Sequence, residues 1–295
     1  MWGGVRASSV KTLLGCMLSN PGLKREINED RAAYVLPKPT NGRRSDGDFL
    51  AIVADGMGGH AAGEIASAMA IDIVYRSFFN GRGSPGTILK AGMRMANAII
   101  YEHAQTNPEC AGMGTTCTAL AIRDGRAFLA HVGDSRCYLL RAGCLHQLSQ
   151  DHSLVSDLVR TGVISAEEAR ESPDRNIILR AIGTKPSVDI SVWSSGLPLK
   201  PADVVLLCSD GLTDGVGDDA IREILMQDLP PADACDLLVD AALAAGGDDN
   251  ITVGVFVAYG EGEGEGEGED AAAAAPPSDD PVRATRVTKV MAKSQ

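Results

Sequence analysis

Apolar residues along this chain follow two periodicities. Short runs rich in Val, Ile, Leu and Ala predict strands over 12–18, 32–36, 49–54, 117–123, 126–132, 135–141, 144–148, 188–192, 203–208 and 251–258. Asp124-Gly125 and Ala142-Gly143 join successive runs as tight hairpins. Consecutive hairpins make the neighbouring strands antiparallel, which excludes a doubly wound parallel sheet. Between 62 and 79 the period lengthens: Ile65, Met69 and Ile73 recur at helical spacing, flanked by Ala66, Ala70, Val74 and Phe78. A second helix opens with Ser84 as N-cap and Pro85 at its first position, and Ile88, Ala91, Met95 and Ile99 are its expected core face. A third runs over 231–245 and stops at Gly246-Gly247. Short helices are expected near 153–160 and 165–171, the latter with Ser165 and Glu168 as a capping box. Strands in runs with helices grouped apart describe an α+β layered domain.

The pattern ends at Tyr259. A Gly-Glu repeat follows, then an alanine block and a mildly basic terminus. Alternating Gly and Glu builds no apolar face and repels itself, so 260–295 reads as a solvated low-complexity tail, 1–10 as a flexible extension and 11–259 as the folded domain.

Composition narrows the class. With 44% hydrophobic but only 4% aromatic residues, the core is built of aliphatic side chains. A net charge of −12 excludes a general nucleic-acid binder, which needs a basic footprint. The seven cysteines are odd in number, lack a CxxC and partly lie in apolar runs, as expected of reduced thiols in a cytoplasmic protein. Leu13-Leu14-Gly15-Cys16 imitates a lipoprotein box, but no apolar segment long enough for a signal precedes it. Nor is any stretch long and apolar enough to span a membrane.

The candidate chemistry lies at strand ends. Asp55 follows FLAIVA, Asp134 follows AFLAHVG, Asp210 follows VVLLCS, and Asp249 precedes NITVGVFVA. A carboxylate at the mouth of a buried strand is costly without a neutralising partner. Four of them, from distant parts of the chain and without a His or Cys cluster, suggest one or two hard divalent cations shared among them. The glycines of Asp55-Gly56-Met57-Gly58-Gly59 let backbone groups approach an ion or phosphate closely. Metal-assisted hydrolysis follows as the expected reaction type.

VADGMGGH (53–60), GTT (114–116), HVGDSR (131–136), SDGLTD (209–214) and GGDDNIT (246–252), with GLKREINED (22–30), Asp151-His152-Ser153-Leu154 and Arg180-Ala181-Ile182-Gly183, resemble the ordered motifs of the bacterial-type metal-dependent protein phosphatases of type 2C. The resemblance runs from about residue 15 to 258. It implies a four-layer α-β-β-α sandwich, two antiparallel β-sheets flanked by helix pairs, and makes 11–259 the catalytic domain with 153–187 as a flap beside the site. It also implies two Mn2+ or Mg2+ ions. Asp55, Asp210 and Asp249 hold one. Asp55 and the Gly56 carbonyl hold the other, Glu29 and Asp30 acting largely through water. Asp134 and Asp210 offer a weaker third position. Arg25 matches the arginine that grips the substrate phosphate. A water bridging two such ions ionises readily and attacks phosphorus in line, so no phospho-enzyme is required.

Other residues have plainer readings. His60 is either the acid that protonates the leaving serine or threonine oxygen or a helix-start residue. His131 reads as a satisfied core histidine, His152 as ordering the loop after Asp151, and Arg136 as an ion-pair partner. Asp214 and Asp248 read as turn or supporting groups, and Thr115 and Thr116 as supports. Many relatives carry Asp where this chain has Asn20, which is expected to serve the local turn. The expected protein is a cytoplasmic, monomeric serine/threonine phosphatase acting on phosphoproteins and opposing a kinase. The alternatives are a pseudophosphatase that binds phosphoproteins without turnover and another two-metal hydrolase such as a nuclease. Retention of Asp55, Asp210 and Asp249 speaks against the first; the low basic content speaks against the second.

Overall fold

The computed structural model describes residue 10, residues 12–37, 48–58 and 62–260, and the backbone of 285–286. Strands β1 (Thr12–Asn20), β2 (Arg31–Val35) and β3 (Phe49–Ala54) open the domain. The short β4 (Gly56–Met57) leads to helices α1 (Ala62–Asn80) and α2 (Pro85–Thr106). Next come β5 (Gly114–Thr115), β6 (Cys117–Arg123), β7 (Arg126–Val132), β8 (Arg136–Arg141) and β9 (Cys144–Gln147). Two short helices, α3 (Leu154–Arg160) and α4 (Ala166–Glu171), precede β10 (Ser191–Val192), β11 (Leu197–Pro198) and β12 (Val204–Cys208). The domain closes with α5 (Asp210–Thr213), α6 (Asp218–Leu225), α7 (Pro231–Ala244) and β13 (Ile251–Tyr259). β14 (Thr285–Arg286) lies beyond it.

Two antiparallel sheets face each other. One has the order β14-β1-β13-β12-β8-β9, the other β10-β7-β6-β3-β2, with β11 also on β7. The period-two alternation of β3 shows how they stack. Phe49, Ala51 and Val53 point into the core shared by the sheets, with Met17, Leu120, Leu139, Leu207 and Phe256. Leu50 and Ile52 point the other way, onto α1 and α2. On the opposite side, Leu206, Val253 and Val255 meet α5, α6 and α7. The result is the expected α-β-β-α sandwich.

Ser84 caps α2 with Pro85 at its first turn, and the Ser165–Glu168 capping box of α4 is formed on both sides. The predicted core face of α2 is wrong by about one residue. Leu89, Met93, Ala96 and Ile100 are buried with Ile88, whereas Met95 and Ile99 are 54% and 40% exposed and Ala91 also faces outward. On α1 the small series Ala66, Ala70, Val74 and Phe78 faces inward, and Ile65 is 38% exposed. Both helices carry two apolar stripes side by side. Packing of α1 against α2 and the sheet selects one stripe on each, on α1 the one that opens with Ala66 and Ala70, a choice that periodicity does not make. The expected strand over 188–192 shortens to Ser191–Val192. Helices α5 and α6 were not expected, because Gly211 and Asp214 read as turn residues.

The solvated-tail reading is corrected at one place: Arg286 and Thr285 pair antiparallel with Leu18 and Ser19 on the otherwise open edge of β1. The rest of the tail after Gly260 lies outside the described residues, as do residues 1–9. None of the seven cysteines forms a disulfide. Among the described residues, no helix is long and apolar enough to cross a membrane.

Candidate metal centre

The fold brings the ends of β3 and β12 and the starts of β2 and β13 to one end of the sandwich. Ala54 ends β3 and delivers Asp55; Cys208 ends β12 and delivers Asp210 at the first turn of α5. Asp249 stands just before β13, and Asp30 just before β2. Asp134 lies in the turn between β7 and β8. The charges of Asp30, Asp134 and Asp210 all act on Asp55, and that of Asp249 acts on Asp30 and Asp210. The distant carboxylates of the sequence are therefore neighbours.

Their electrostatics are unfavourable as they stand. Burial, then the Asp210 and Asp249 charges, pushes Asp30 up to about 7 against hydrogen bonds from Thr252 and Ser209. Burial, then Asp214 and Asp249, pushes Asp210 up to about 6. Burial and their acidic neighbours raise Asp55 and Asp134 well above the ordinary carboxylate range, and burial raises Glu29. Among the described residues, four buried side-chain oxygens lack a hydrogen-bond partner: Glu29 Oε1, Asp30 Oδ1, Asp134 Oδ1 and Asp210 Oδ1. All four are carboxylate oxygens of this cluster. Orphaned anionic oxygens inside a protein are expensive, and oxygen-only donors suit a hard divalent cation. The donor set therefore fits Mn2+ or Mg2+.

The cluster is not a closed cage. No group of three His, Cys, Asp or Glu among the described residues stands ready to hold an ion. One cause is visible at Asp249, whose two oxygens are engaged elsewhere. Arg25 Nη2 reaches Oδ2 at 2.7 Å, and the Asn250 N–H donates to Oδ1 at 2.8 Å. Arg25 is half exposed at the mouth of the site, and its hydrogen bond to Asp249 raises its pKa despite partial burial.

Supporting contacts hold the other acids. Ser209 Oγ donates to Asp30 Oδ2 at 2.7 Å and accepts from the Thr252 N–H at 2.9 Å. The Asp55 N–H donates to Thr116 Oγ1 at 2.9 Å, and Thr115 Oγ1 donates to the Asp55 carbonyl at 2.9 Å. The Gly56 backbone is packed so closely that a Cβ there would stand 2.1 Å from the Gly63 carbonyl oxygen. Gly22, at φ +76°, permits a similar approach to the Asp249 carbonyl. Asn20 accepts from the Gly22 N–H at 2.8 Å, the turn role expected of it.

His131 is buried, contacting Thr118 Oγ1 at 2.8 Å and the Gln150 carbonyl at 3.1 Å, and it stacks on His152. His152 accepts the Gly133 N–H at 3.1 Å and so fastens the segment before α3 beside Asp134. Burial lowers both imidazoles to about 4. Arg136 grips Asp151 with Nε and Nη2, at 2.9 and 2.7 Å to Oδ2. Asp248 pairs with Lys24 at 2.7 Å, and Asp214 faces Arg175 at 3.6 Å. His60 lies outside the described residues. A cavity of about 490 Å³ opens from Asp134 and Asp210, past Arg175 and Val159.

Ser209, Ser135 and Asn250 were not foreseen as site residues. Small polar residues next to Asp-Gly and Asp-Asn pairs read as turn formers, and only the contacts of their side chains distinguish them.

Residues 27–245 match the family Protein phosphatase 2C. The serine/threonine phosphatase stp of Listeria monocytogenes is 38% identical over 237 residues, covering 79% of this chain and 90% of that protein. The crystal structure of the Mycobacterium tuberculosis serine/threonine phosphatase PstP/Ppp superposes with a TM-score of 0.74 at 36% identity, covering 84% of this chain and all of that one. The catalytic domain of PstP in complex with two manganese ions superposes with a TM-score of 0.72 at 35% identity, covering 84% and 99%.

Proposed function

The chain belongs to the protein phosphatase 2C family as a serine/threonine protein phosphatase, and on that premise we propose how its acidic cluster serves the reaction. The observation that carries the reading is the set of four orphaned carboxylate oxygens gathered from Glu29, Asp30, Asp134 and Asp210. Asp55, Asp210 and Asp249 hold one divalent cation. Asp55 and the Gly56 carbonyl hold a second, with Glu29 and Asp30 behind them, and Asp134 with Asp210 offers a weaker third position. When bound, the cations neutralise the carboxylates and acidify water enough for it to attack phosphorus. Manganese in a related catalytic domain supports Mn2+ as the working ion.

The chain's own residues do the rest. Arg25 exchanges its Asp249 contact for the substrate phosphate, to which a guanidinium offers two parallel hydrogen bonds. Its exposed position lets it meet a phosphorylated side chain arriving from solvent. Ser209 and Thr116 hold Asp30 and Asp55 in place, so the acids need not reorganise when the substrate binds. Phosphoproteins are the substrates, a Ser/Thr kinase among them.

The test is phosphate release from a phosphothreonine peptide. Release should require Mn2+, stop with chelator, and fall on the order of a thousandfold in Asp210→Asn. Equal release with chelator present would refute the metal mechanism, and peptide binding without turnover in the parent would indicate a pseudophosphatase.

A further inference from the structure

Asn250 follows Asp249 at the head of β13 and is buried. Its amide nitrogen donates to the carbonyls of Pro21 and Ile27, both at 3.0 Å. Its Oδ1 accepts the Glu29 N–H at 2.8 Å. One side chain thus satisfies backbone groups at both ends of the loop 21–29, across 221 to 229 positions of sequence. Its own N–H holds Asp249 Oδ1, while Arg25, carried by the same loop, holds Asp249 Oδ2. The Leu23 N–H adds a bond to the Gly247 carbonyl at 2.7 Å. The loop that carries Arg25 and the turn that carries Asp249 are therefore fastened together at several points, three of them made by the Asn250 side-chain amide.

That chemistry is particular to asparagine. The contacts need two donors and an acceptor on one short planar group. Aspartate has the same shape but presents only acceptors to two carbonyls, and alanine leaves three backbone groups without their partner. We propose that Asn250 is a positioning residue that sets the register of the Arg25 loop against the Asp249 turn, and so governs how tightly the substrate phosphate is held. It touches neither phosphate nor cation. The inference rests on the reading of Arg25 as the phosphate contact, and its test separates the two.

The experiment uses the full chain with saturating Mn2+ and a phosphothreonine peptide, comparing the parent with Arg25→Ala, Asn250→Ala, Asn250→Asp and the double variant Arg25→Ala/Asn250→Ala. Arg25→Ala should raise KM about tenfold or more. Asn250→Ala and Asn250→Asp should each raise KM by a comparable factor, with less change in kcat. Because Asn250 acts through Arg25, the double variant should be no more than about twofold worse in KM than Arg25→Ala alone. Calorimetric Mn2+ affinity of Asn250→Ala should fall by less than the roughly tenfold typical of a lost outer contact, and by less than KM rises, because the main-chain N–H that holds Asp249 remains. Circular dichroism checks folding; if the alanine variant unfolds, Asn250→Asp, which keeps the side-chain volume, carries the test, both alone and combined with Arg25→Ala. Additive KM effects, a parental KM in Asn250→Asp, or a Mn2+ affinity that falls as steeply as KM rises would overturn the proposal. An unchanged KM in Arg25→Ala would remove the phosphate-contact reading itself, and this inference with it.

Discussion

Buried aspartates meet two different fates in this molecule. Away from the metal centre, each of two sits in the fork of an arginine. Asp203 takes Arg141 at 2.8 and 2.6 Å through both carboxylate oxygens, and Asp48 takes Arg123 in the same way. At the strand mouths, Asp30 and Asp134 are just as buried, yet each keeps an oxygen with no hydrogen-bond partner. The first group is neutralised by the fold itself. The second is gathered with its charges unanswered, which is a stable arrangement only if something from outside supplies the countercharge. Burial of an acid is therefore not what marks a site here; the missing partner is.

The sharpest way to break the contrast is to change one acid of each kind. Asp210→Asn should abolish phosphatase activity and yet raise the melting temperature of the metal-free protein, because it removes one of several repelling charges. Arg141→Met should do the opposite. It leaves Asp203 buried without a countercharge, its carboxylate held among the described residues only by the Lys200 N–H, at a cost of about 3 kcal/mol, the lower end for breaking a buried pair because Arg141 is partly exposed. Thermal melts and phosphate release on both variants check this. Matching signs in the two melts would erase the distinction.

Acidity gives a second handle. An acid that the fold keeps protonated holds a proton that the unfolded chain has already released, so stability falls as pH rises through the interval between the two pKa values. That interval runs from the ordinary value of 3.8 to about 7 for Asp30 and about 6 for Asp210, and Asp55 and Asp134 are raised as well. His131 and His152 act in the other direction. Kept neutral down to about 4, they stabilise the fold increasingly as pH rises to 6.5, the ordinary value, and add nothing further above it. Above about pH 6.5 the carboxylates therefore dominate, and the buried thiols of Cys117 and Cys208, pushed up to about 12, act in the same direction as pH nears 8. Metal-free protein should melt at lower temperature at pH 8 than at pH 6.5, and Mn2+ should raise the melting temperature more at pH 8. A melting temperature of the metal-free protein that rises over that range would contradict the assignment.

The smallest effect belongs to a pair with no burial to make it matter. Arg76 and Asp72 face each other at 2.7 Å on α1 with both side chains more than half exposed. Arg76→Ala should cost no more than about 0.5 kcal/mol by denaturant titration. A larger loss would mean that exposure does not separate these classes of ion pair.

Much of this was legible from the chain. Strands 117–123 and 126–132 have the expected bounds because the Asp124-Gly125 turn joins them, and 49–54 because its apolar run stops at Asp55. The cap of α2 and the box of α4 were legible for the same reason: their partners lie within three residues. The buried face of α2 was not, since two adjacent stripes satisfy one helical period and only the neighbouring helix chooses between them. Asn250 was not either, because an asparagine in a Gly-Gly-Asp-Asp-Asn turn looks the same whether or not its amide reaches a loop at the other end of the chain.

Sequence alone determined most of the strands, helices α1 to α4 and α7, the hairpin connections and the placing of acids at strand ends, since turn chemistry and side-chain period act over a few residues. Tertiary structure decided which of those acids receive a countercharge. Asp30 meets Ser209 across 179 residues and Arg25 meets Asp249 across 224. Contacts of that span exist only after the sheets have stacked, and they leave one end of the sandwich with carboxylates that the chain cannot neutralise by itself.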